Sequence, residues 1–143
     1  EDVVDALRTY QPTWVVADRA AVTRLAADPL FGWADMRSVR AWLVGGPVPD
    51  DVARAFEEAA GTQPCVGLTD ARAAGLLTCQ PVNGRRVLGT VGLPLPGVAV
   101  AELPDGRLAL RAPTIVAAGG DGAVVVAGTL DGDGYVRVAP ESA

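Results

Sequence analysis

Apolar residues recur at helical spacing in the first sixty residues, where they predict three amphipathic helices. Asp18 is suited to cap the second of these helices, Pro49 lies in the first turn of the third, and Gly61 is suited to end it. The residues that share an apolar face are Val3, Val4 and Leu7 in the first helix, Val22, Leu25 and Ala26 in the second, and Val52 and Phe56 in the third.

Short apolar runs lie between these helices. Residues 13–17 and 39–44 predict two buried strands, and the second run stops at Gly45-Gly46. The alternation of strand and helix predicts a parallel sheet with crossover helices, in which ligand loops follow the ends of the strands. The segments Gly45-Gly46-Pro47 and Gly67-Leu68-Thr69-Asp70 occupy such ends, so they are candidates for a binding site.

Beyond about residue 60 the composition shifts to Gly, Pro and Val, and short alternating segments replace the helical pattern. The overall prediction is an α/β fold, with a partial mixed or parallel sheet in 1–92 and a small antiparallel β-barrel-like portion in 93–143, within one compact unit. We expect 131–134 to form a hairpin turn and Arg85-Arg86 to be a solvated surface pair. The predicted strands of the second half are 98–103, 107–111, 115–118, 124–127 and 135–138.

Composition narrows the classes of function. The chain has 143 residues, a formal net charge of −5 and a pI near 4.6, which argue against a protein that grips nucleic acid. It contains no histidine, so Ser-His-Asp and Cys-His catalysis are excluded. Cys65 and Cys79 are expected to be free thiols. No apolar run is long enough to span a bilayer and the first residues do not form a signal peptide, so we expect a cytoplasmic protein.

Three segments occur in an order that resembles a known superfamily. Gly45-Gly46-Pro47 comes first, Val66-Gly67-Leu68-Thr69-Asp70 second, and Gly89-Thr90-Val91-Gly92-Leu93-Pro94-Leu95-Pro96-Gly97 third. This order is similar to that of the adenylate-forming ligases, which include acyl-CoA synthetases, firefly luciferase and peptide-synthetase adenylation domains. The resemblance covers almost the whole chain, and its third segment implies an architectural role at the crossing from the sheet to the barrel.

The resemblance implies roles for the second segment. In the family pattern an aromatic residue stacks on adenine, a Thr contacts the phosphate and a Glu holds Mg²⁺. Here Val66 stands at the aromatic position, Thr69 is kept and Asp70 stands where Glu is usual. Thr69 and Asp70 are therefore the candidate catalytic residues and Asp70 the candidate metal ligand. The residues themselves also allow a structural reading, in which Asp70 caps the turn that follows it.

The remaining candidate residues bind the nucleotide or shape its pocket. Thr129 stands at the position of the carboxylate that holds the ribose hydroxyls in the family. For the turn after the second strand, an ordinary strand-to-helix connection is the alternative to a ligand contact. The full candidate set for cofactor binding is Gly45, Gly46, Pro47, Val66, Gly67, Leu68 and Thr129.

The function that the resemblance implies is ATP-dependent joining of a carboxylic acid to AMP, followed by transfer to the thiol of CoA or of a carrier protein. The implied cofactors are ATP or AMP and Mg²⁺. The family's phosphate loop and its lysine-bearing domain would lie outside residues 1–143, so we expect the chain to be a piece or relative that is not catalytic alone. The alternative is a degenerate, noncatalytic module of a biosynthetic assembly, with a protein partner or as a homodimer.

Overall fold

The computed structural model describes residues 2–115 and 122–138, and it contains an α/β half followed by a β half. The predicted α/β fold class is therefore confirmed. The strand predicted at 115–118 lies outside the described residues from 116 onward, and Ile115 belongs to no strand. Among the described residues, none of the helices has the length and apolar content needed to cross a membrane.

The described part of the chain contains three α-helices, and predicted cap residues lie at the ends of the second and third. The side chain of Asp18 accepts a hydrogen bond from the backbone N–H of Ala21 at 2.6 Å and so caps the second helix. Pro49 precedes the third helix, and Gly61 ends it in the left-handed conformation at φ 72°. The helices are α1 Val3–Tyr10, α2 Arg19–Ala27 and α3 Asp50–Ala60.

Helices α2 and α3 connect the strands of a parallel sheet, as predicted. Strand β2 lies in the middle, with Trp14 of β1 beside Ala41 and Leu43 beside Cys65 of β3. All three strands run in the same direction, so their carboxyl ends meet at one edge. The strands are β1 Trp14–Asp18, β2 Ala41–Gly45 and β3 Cys65–Gly67.

The prediction that the first strand is buried is wrong. Trp14 is 53% exposed and Val16 is 81% exposed, whereas the alternate residues Val15 and Ala17 pack partly against the core. Strand β1 is an edge strand of the described sheet, and successive side chains of a strand point to opposite faces. An apolar run indicates that a strand is hydrophobic, but it does not indicate whether other parts of the protein cover both faces of that strand.

An aromatic cluster of three rings fixes the sheet to the helices. Trp42 of β2 lies 5.1 Å from Phe56 of α3, and Phe31 lies 5.6 Å from Trp42 and 5.4 Å from Phe56, measured between ring centroids. All three side chains are fully buried. The two contacts of Trp42 are edge-to-face, an arrangement that aromatic quadrupoles favour.

Two short strand pairs follow the parallel sheet along the chain, and an antiparallel sheet forms the β half. In the described residues the sheet order is β11-β10-β9-β8. The short pairs join β4 to β5 and β6 to β7. Their bounds are β4 Thr69–Asp70, β5 Gly75–Leu76, β6 Thr78–Cys79, β7 Leu93–Pro94, β8 Ala99–Glu102, β9 Arg107–Arg111, β10 Ala123–Leu130 and β11 Val136–Val138.

The glycine- and proline-rich segment that starts at residue 89 lies between the parallel sheet and the antiparallel sheet along the chain. Gly92 has φ +84°, and a Cβ atom there would lie 2.0 Å from the carbonyl carbon of Cys79. The carbonyl of Gly92 accepts a hydrogen bond from the N–H of Val136 at 2.9 Å. Residue 92 is therefore held between Cys79 of β6 and Val136 of β11.

The predicted solvated pair Arg85-Arg86 is wrong for its second member. Arg85 is exposed and lies 3.2 Å from the carboxylate of Asp133. Arg86 is half-buried, and its guanidinium donates to the carbonyls of Pro81 at 3.0 Å and Val82 at 2.7 Å. A guanidinium carries several donors in a rigid fork, so Arg86 satisfies loop carbonyls that lack a strand partner.

Candidate functional site

A cleft of about 740 Å³ lies at the carboxyl ends of the three parallel strands. This is the edge where open α/β sheets bind ligands, and the volume falls within the range of small-molecule sites. One wall comes from the sheet and the other from the β half. The lining residues are Asp18, Arg19, Ala20, Gly45, Gly46, Pro47, Leu68, Thr69, Asp70, Val125, Val126, Ala127 and Val138.

The turn after β2 is fixed against the neighbouring strand. The N–H of Gly46 donates to the carbonyl of Gly67 at 2.7 Å, and Gly46 adopts φ +91°, a conformation that favours glycine. A Cβ atom on Gly45 would lie 3.2 Å from Cγ2 of Thr69. The structure thus brings the first predicted segment, Gly45-Gly46-Pro47, into direct contact with the second.

The second segment contributes its last three residues to the cleft. Leu68 is buried, and its N–H donates to Oγ1 of Thr78 at 3.2 Å. Thr69 is exposed and Asp70 is half-buried. No hydrogen bond of the Thr69 hydroxyl occurs within the described residues, so the hydroxyl is available to a ligand.

The carboxylate of Asp70 is already bonded within the chain. Its Oδ1 accepts hydrogen bonds from the N–H of Arg72 at 2.8 Å and from Nε at 2.9 Å, and its Oδ2 accepts one from Nη2 at 2.8 Å. These bonds lower the pKa of Asp70 below its ordinary value, chiefly through the Arg72 side chain and against a smaller effect of burial. Asp70 therefore caps the 3₁₀ turn Ala71–Ala73, the structural alternative that the sequence left open.

The Mg²⁺ that the resemblance implies does not fit these residues. Mg²⁺ binds proteins through one or two carboxylates together with phosphate and water oxygens. Asp70 is the candidate donor, and both of its oxygens accept hydrogen bonds from the guanidinium of Arg72. The carboxylate of Asp18 also lines the cleft, but it caps α2. In the described part of the chain no three His, Cys, Asp or Glu residues are grouped into a metal site built from protein ligands alone.

Two predicted nucleotide contacts lie outside the lining of the cleft and have packing roles. Val66 is 6% exposed and belongs to the hydrophobic core. Gly67 is buried, and a Cβ atom there would lie 2.5 Å from the carbonyl oxygen of Thr78 and 2.6 Å from Cδ2 of Leu76. Glycine at position 67 therefore permits a close approach between β3 and the chain that follows it.

Thr129, the predicted ribose contact, is also outside this lining. It lies within β10, is exposed, and is paired with Arg137 of β11. The same strand reaches the cleft through Val125, Val126 and Ala127 instead. These three residues carry no polar side chain, so they supply an apolar wall.

Sequence reasoning missed Asp18 and Arg19 at the end of β1. Ligand loops follow the ends of parallel strands, and this rule applies to β1 as well. The end of the first predicted strand was therefore the signal that could have identified Asp18 and Arg19. Arg19 is half-buried, and its guanidinium has no hydrogen-bond or ion-pair partner within residues 2–115 and 122–138. It is thus a cation of the cleft that is open to an anionic group.

Comparison with solved structures reveals the same fold in a set of ligases. The anthranilate CoA ligase AuaEII, solved in complex with anthranoyl-AMP, matches with a TM-score of 0.84 and 18% identity over 96% of this chain. ATP-bound MatB from Rhodopseudomonas palustris matches with a TM-score of 0.81 and 21% identity over 96% of this chain. The O-succinylbenzoate coenzyme A synthetase MenE from Bacillus subtilis matches at 0.75 and 18% over 99%.

The chain spans 31%, 33% and 34% of the lengths of AuaEII, MatB and MenE. No family model matches the sequence, and no curated protein matches it. The likeness therefore rests on the fold, which agrees with the resemblance seen in the sequence motifs. The chain has the fold of one part of an AMP-forming ligase.

Proposed function

We propose that this chain is the part of an adenylate-forming ligase that lines its adenylate cleft. The observation that carries the proposal is the shared position of Gly45-Gly46-Pro47 and Leu68-Thr69-Asp70, which line a single cleft at the ends of the parallel strands. The neighbours include an acyl-AMP complex of a CoA ligase and an ATP complex, and both share this fold.

In the proposed parent protein a carboxylate oxygen of the acid attacks the α-phosphorus of ATP and pyrophosphate leaves. The thiol of CoA or of a carrier protein then attacks the acyl carbon of the acyl-AMP, a thioester forms and AMP leaves. The residues of this chain bind and orient. The hydroxyl of Thr69 offers a hydrogen bond to a phosphate oxygen. The backbone around Gly45 and the apolar wall from Val125 to Ala127 accept flat and apolar parts of the ligand.

A second candidate, a noncatalytic adenylation-like module, is favoured by a separate observation. Asp70 is bonded to Arg72 and Thr129 lies outside the cleft lining, and both observations support a module that lacks the metal and ribose contacts of the ligase pattern. Such a module would retain the fold and act by contact with a protein partner or a second copy. The exposed Trp14 and Val16 on strand β1 would suit such a contact.

Calorimetric titration with ATP and with a non-hydrolysable acyl-adenylate analogue separates the two functions. The ligase proposal expects saturable binding that Thr69→Val weakens at least threefold. Thr129→Val is the matched control because it removes the same hydroxyl outside the cleft lining, and it is expected to leave binding unchanged. The absence of heat up to millimolar concentrations of both ligands would reject the ligase proposal and favour the noncatalytic module.

A further inference from the structure

The turn at residues 70–72 joins the carboxylate of Asp70 to a cation of the chain itself. A carboxylate offers about four lone-pair positions for hydrogen bonds. Arg72 fills three of them, one through its backbone N–H and two through its guanidinium. One position on Oδ2 remains, and a metal ion there would lie beside the guanidinium cation and compete with it. The two side-chain bonds of Arg72 are bidentate, the geometry in which arginine binds carboxylates most strongly.

The local sequence alone is sufficient to form this pair. The same Asp-x-Arg arrangement occurs at Asp35 and Arg37, where Oδ2 lies 2.6 Å from Nη2, and at Asp105 and Arg107, where Oδ2 lies 2.7 Å from Nη2. In both cases the aspartate also accepts the backbone N–H two residues later. Of these three pairs, only Asp70 and Arg72 have a member in the lining of the cleft.

The backbone around the pair is fixed on both sides. Strand β4 pairs with β5, which places Asp70 opposite Gly75. Ala74 completes the turn with φ +55°, and its N–H donates to the carbonyl of Ala71 at 3.3 Å. The turn therefore holds Arg72 beside Asp70 without help from a ligand.

The guanidinium of Arg72 has N–H donors that do not bond to Asp70. Arginine has five N–H groups on its side chain, and Asp70 uses one on Nε and one on Nη2. The Arg72 side chain is 54% exposed, so the remaining donors are open to solvent. Guanidinium groups bind phosphate oxygens with the same fork that binds carboxylates.

We propose that Arg72 takes the place of a divalent cation beside Asp70, so that the cleft binds the phosphate groups of a nucleotide without Mg²⁺. The phosphate-binding part rests on the proposed function. The exclusion of a metal from Asp70 rests only on the contacts of this turn.

Titration of the 143-residue chain with ATP, once in EDTA and once in excess Mg²⁺, tests the proposal. The wild type is expected to bind ATP with affinities that agree within about twofold in the two buffers. Arg72→Gln is expected to bind at least tenfold more weakly in EDTA and to recover part of this loss in Mg²⁺, because Asp70 is then free for the metal. Arg72→Lys keeps the charge, so its affinity for ATP in EDTA is expected to lie between those of the wild type and Arg72→Gln.

Arg37→Gln is the matched control, since it breaks the same kind of pair outside the cleft lining and is expected to bind ATP like the wild type. A wild type that gains tenfold or more from Mg²⁺ would overturn the proposal, as would equal binding by Arg72→Gln and Arg37→Gln. Thermal unfolding checks that each variant is folded before its binding is compared.

A second measurement separates this inference from the proposed function. Mn²⁺ is titrated into the wild type and Asp70→Asn without nucleotide and followed by electron paramagnetic resonance. Saturable Mn²⁺ binding that Asp70→Asn abolishes would overturn the inference even if ATP binds. If ATP binds in neither buffer, the proposed function fails, and with it the role of Arg72 in phosphate binding.

Discussion

Gly45 lies directly against the side chain of Thr69. A Cβ atom at residue 45 would come within 3.2 Å of Cγ2 and 3.3 Å of Oγ1 of Thr69, closer than side chains ordinarily pack. The contact joins the turn after β2 to the segment after β3, and both line the same cleft. The direction of the Thr69 hydroxyl therefore depends on the absence of a side chain at position 45.

Gly45→Ala is expected to displace Thr69 and to weaken ATP binding severalfold, with little effect on stability because Thr69 is exposed and free to move. Calorimetry gives the affinity and thermal unfolding gives the stability. Gly132→Ala is the control, because a Cβ atom there has no neighbour within 4 Å. Unchanged affinity in Gly45→Ala would show that the orientation of Thr69 does not matter for binding.

Gly92→Ala is expected to destabilise the fold severely, by about 3 kcal/mol or more, because a clash with backbone adds to the strain of a positive φ. The added Cβ atom would lie 2.0 Å from the carbonyl carbon of Cys79 and 2.1 Å from the nitrogen of Gln80. Chemical denaturation measures the loss. A variant as stable as Gly132→Ala would contradict the assignment of Gly92 as the junction of the two halves.

Phe56→Ala is expected to cost about 3–5 kcal/mol, since it removes a fully buried ring that contacts both Phe31 and Trp42. Trp33→Ala serves as the comparison, because Trp33 is 91% exposed and its loss is expected to change stability by less than about 0.5 kcal/mol. Urea unfolding followed by circular dichroism reports both values. Similar losses of unfolding free energy in the two variants would contradict the assignment of Phe56 to the core.

The two thiols are expected to make the free energy of unfolding depend on pH in the alkaline range. Burial raises the pKa of Cys65 and of Cys79, partly offset by the nearby Arg86. The folded state therefore holds these protons to higher pH than the unfolded state. The free energy of unfolding should be unaffected below the ordinary thiol pKa of about 8.5 and should fall as pH rises above it.

Denaturant unfolding between pH 7 and 10 measures this dependence. The comparison is the double variant Cys65→Ala and Cys79→Ala, in which the part of the slope that comes from the thiols should disappear. Rapid alkylation of Cys65 in the folded wild type at pH 8 would contradict the burial of this thiol, on which the prediction depends.

The order of helices and parallel strands was predictable because hydrophobic period and capping residues act locally. Asp18 and Gly61 are examples, since each determines the end of one helix from its own position. The exposure of Val16 was not predictable, because it depends on what covers one face of the sheet. The Asp-x-Arg spacing at Asp70 and Arg72 is also visible in the sequence, but the resemblance to the ligase pattern implies a metal at Asp70 instead.

The cleft itself was predictable only in part. The contributions of β2 and β3 follow from the rule for parallel strands, as residues Gly46 and Thr69 illustrate. The wall that includes Val126 comes from a strand more than fifty residues later in the chain, and no local pattern encodes such a distant approach. Thr129 illustrates the same limit, because its distance from the cleft depends on the register of β10 with β11.

Chemical-shift mapping tests the central claim most directly, because it locates a ligand on the chain. Backbone amide spectra of the ¹⁵N-labelled protein would be recorded during titration with ATP. The account predicts that the largest shifts fall on Arg19, on Gly45 and Gly46, and on Leu68 to Asp70. Shifts confined to other surfaces, or none at millimolar ATP, would contradict a nucleotide cleft at the ends of the parallel strands.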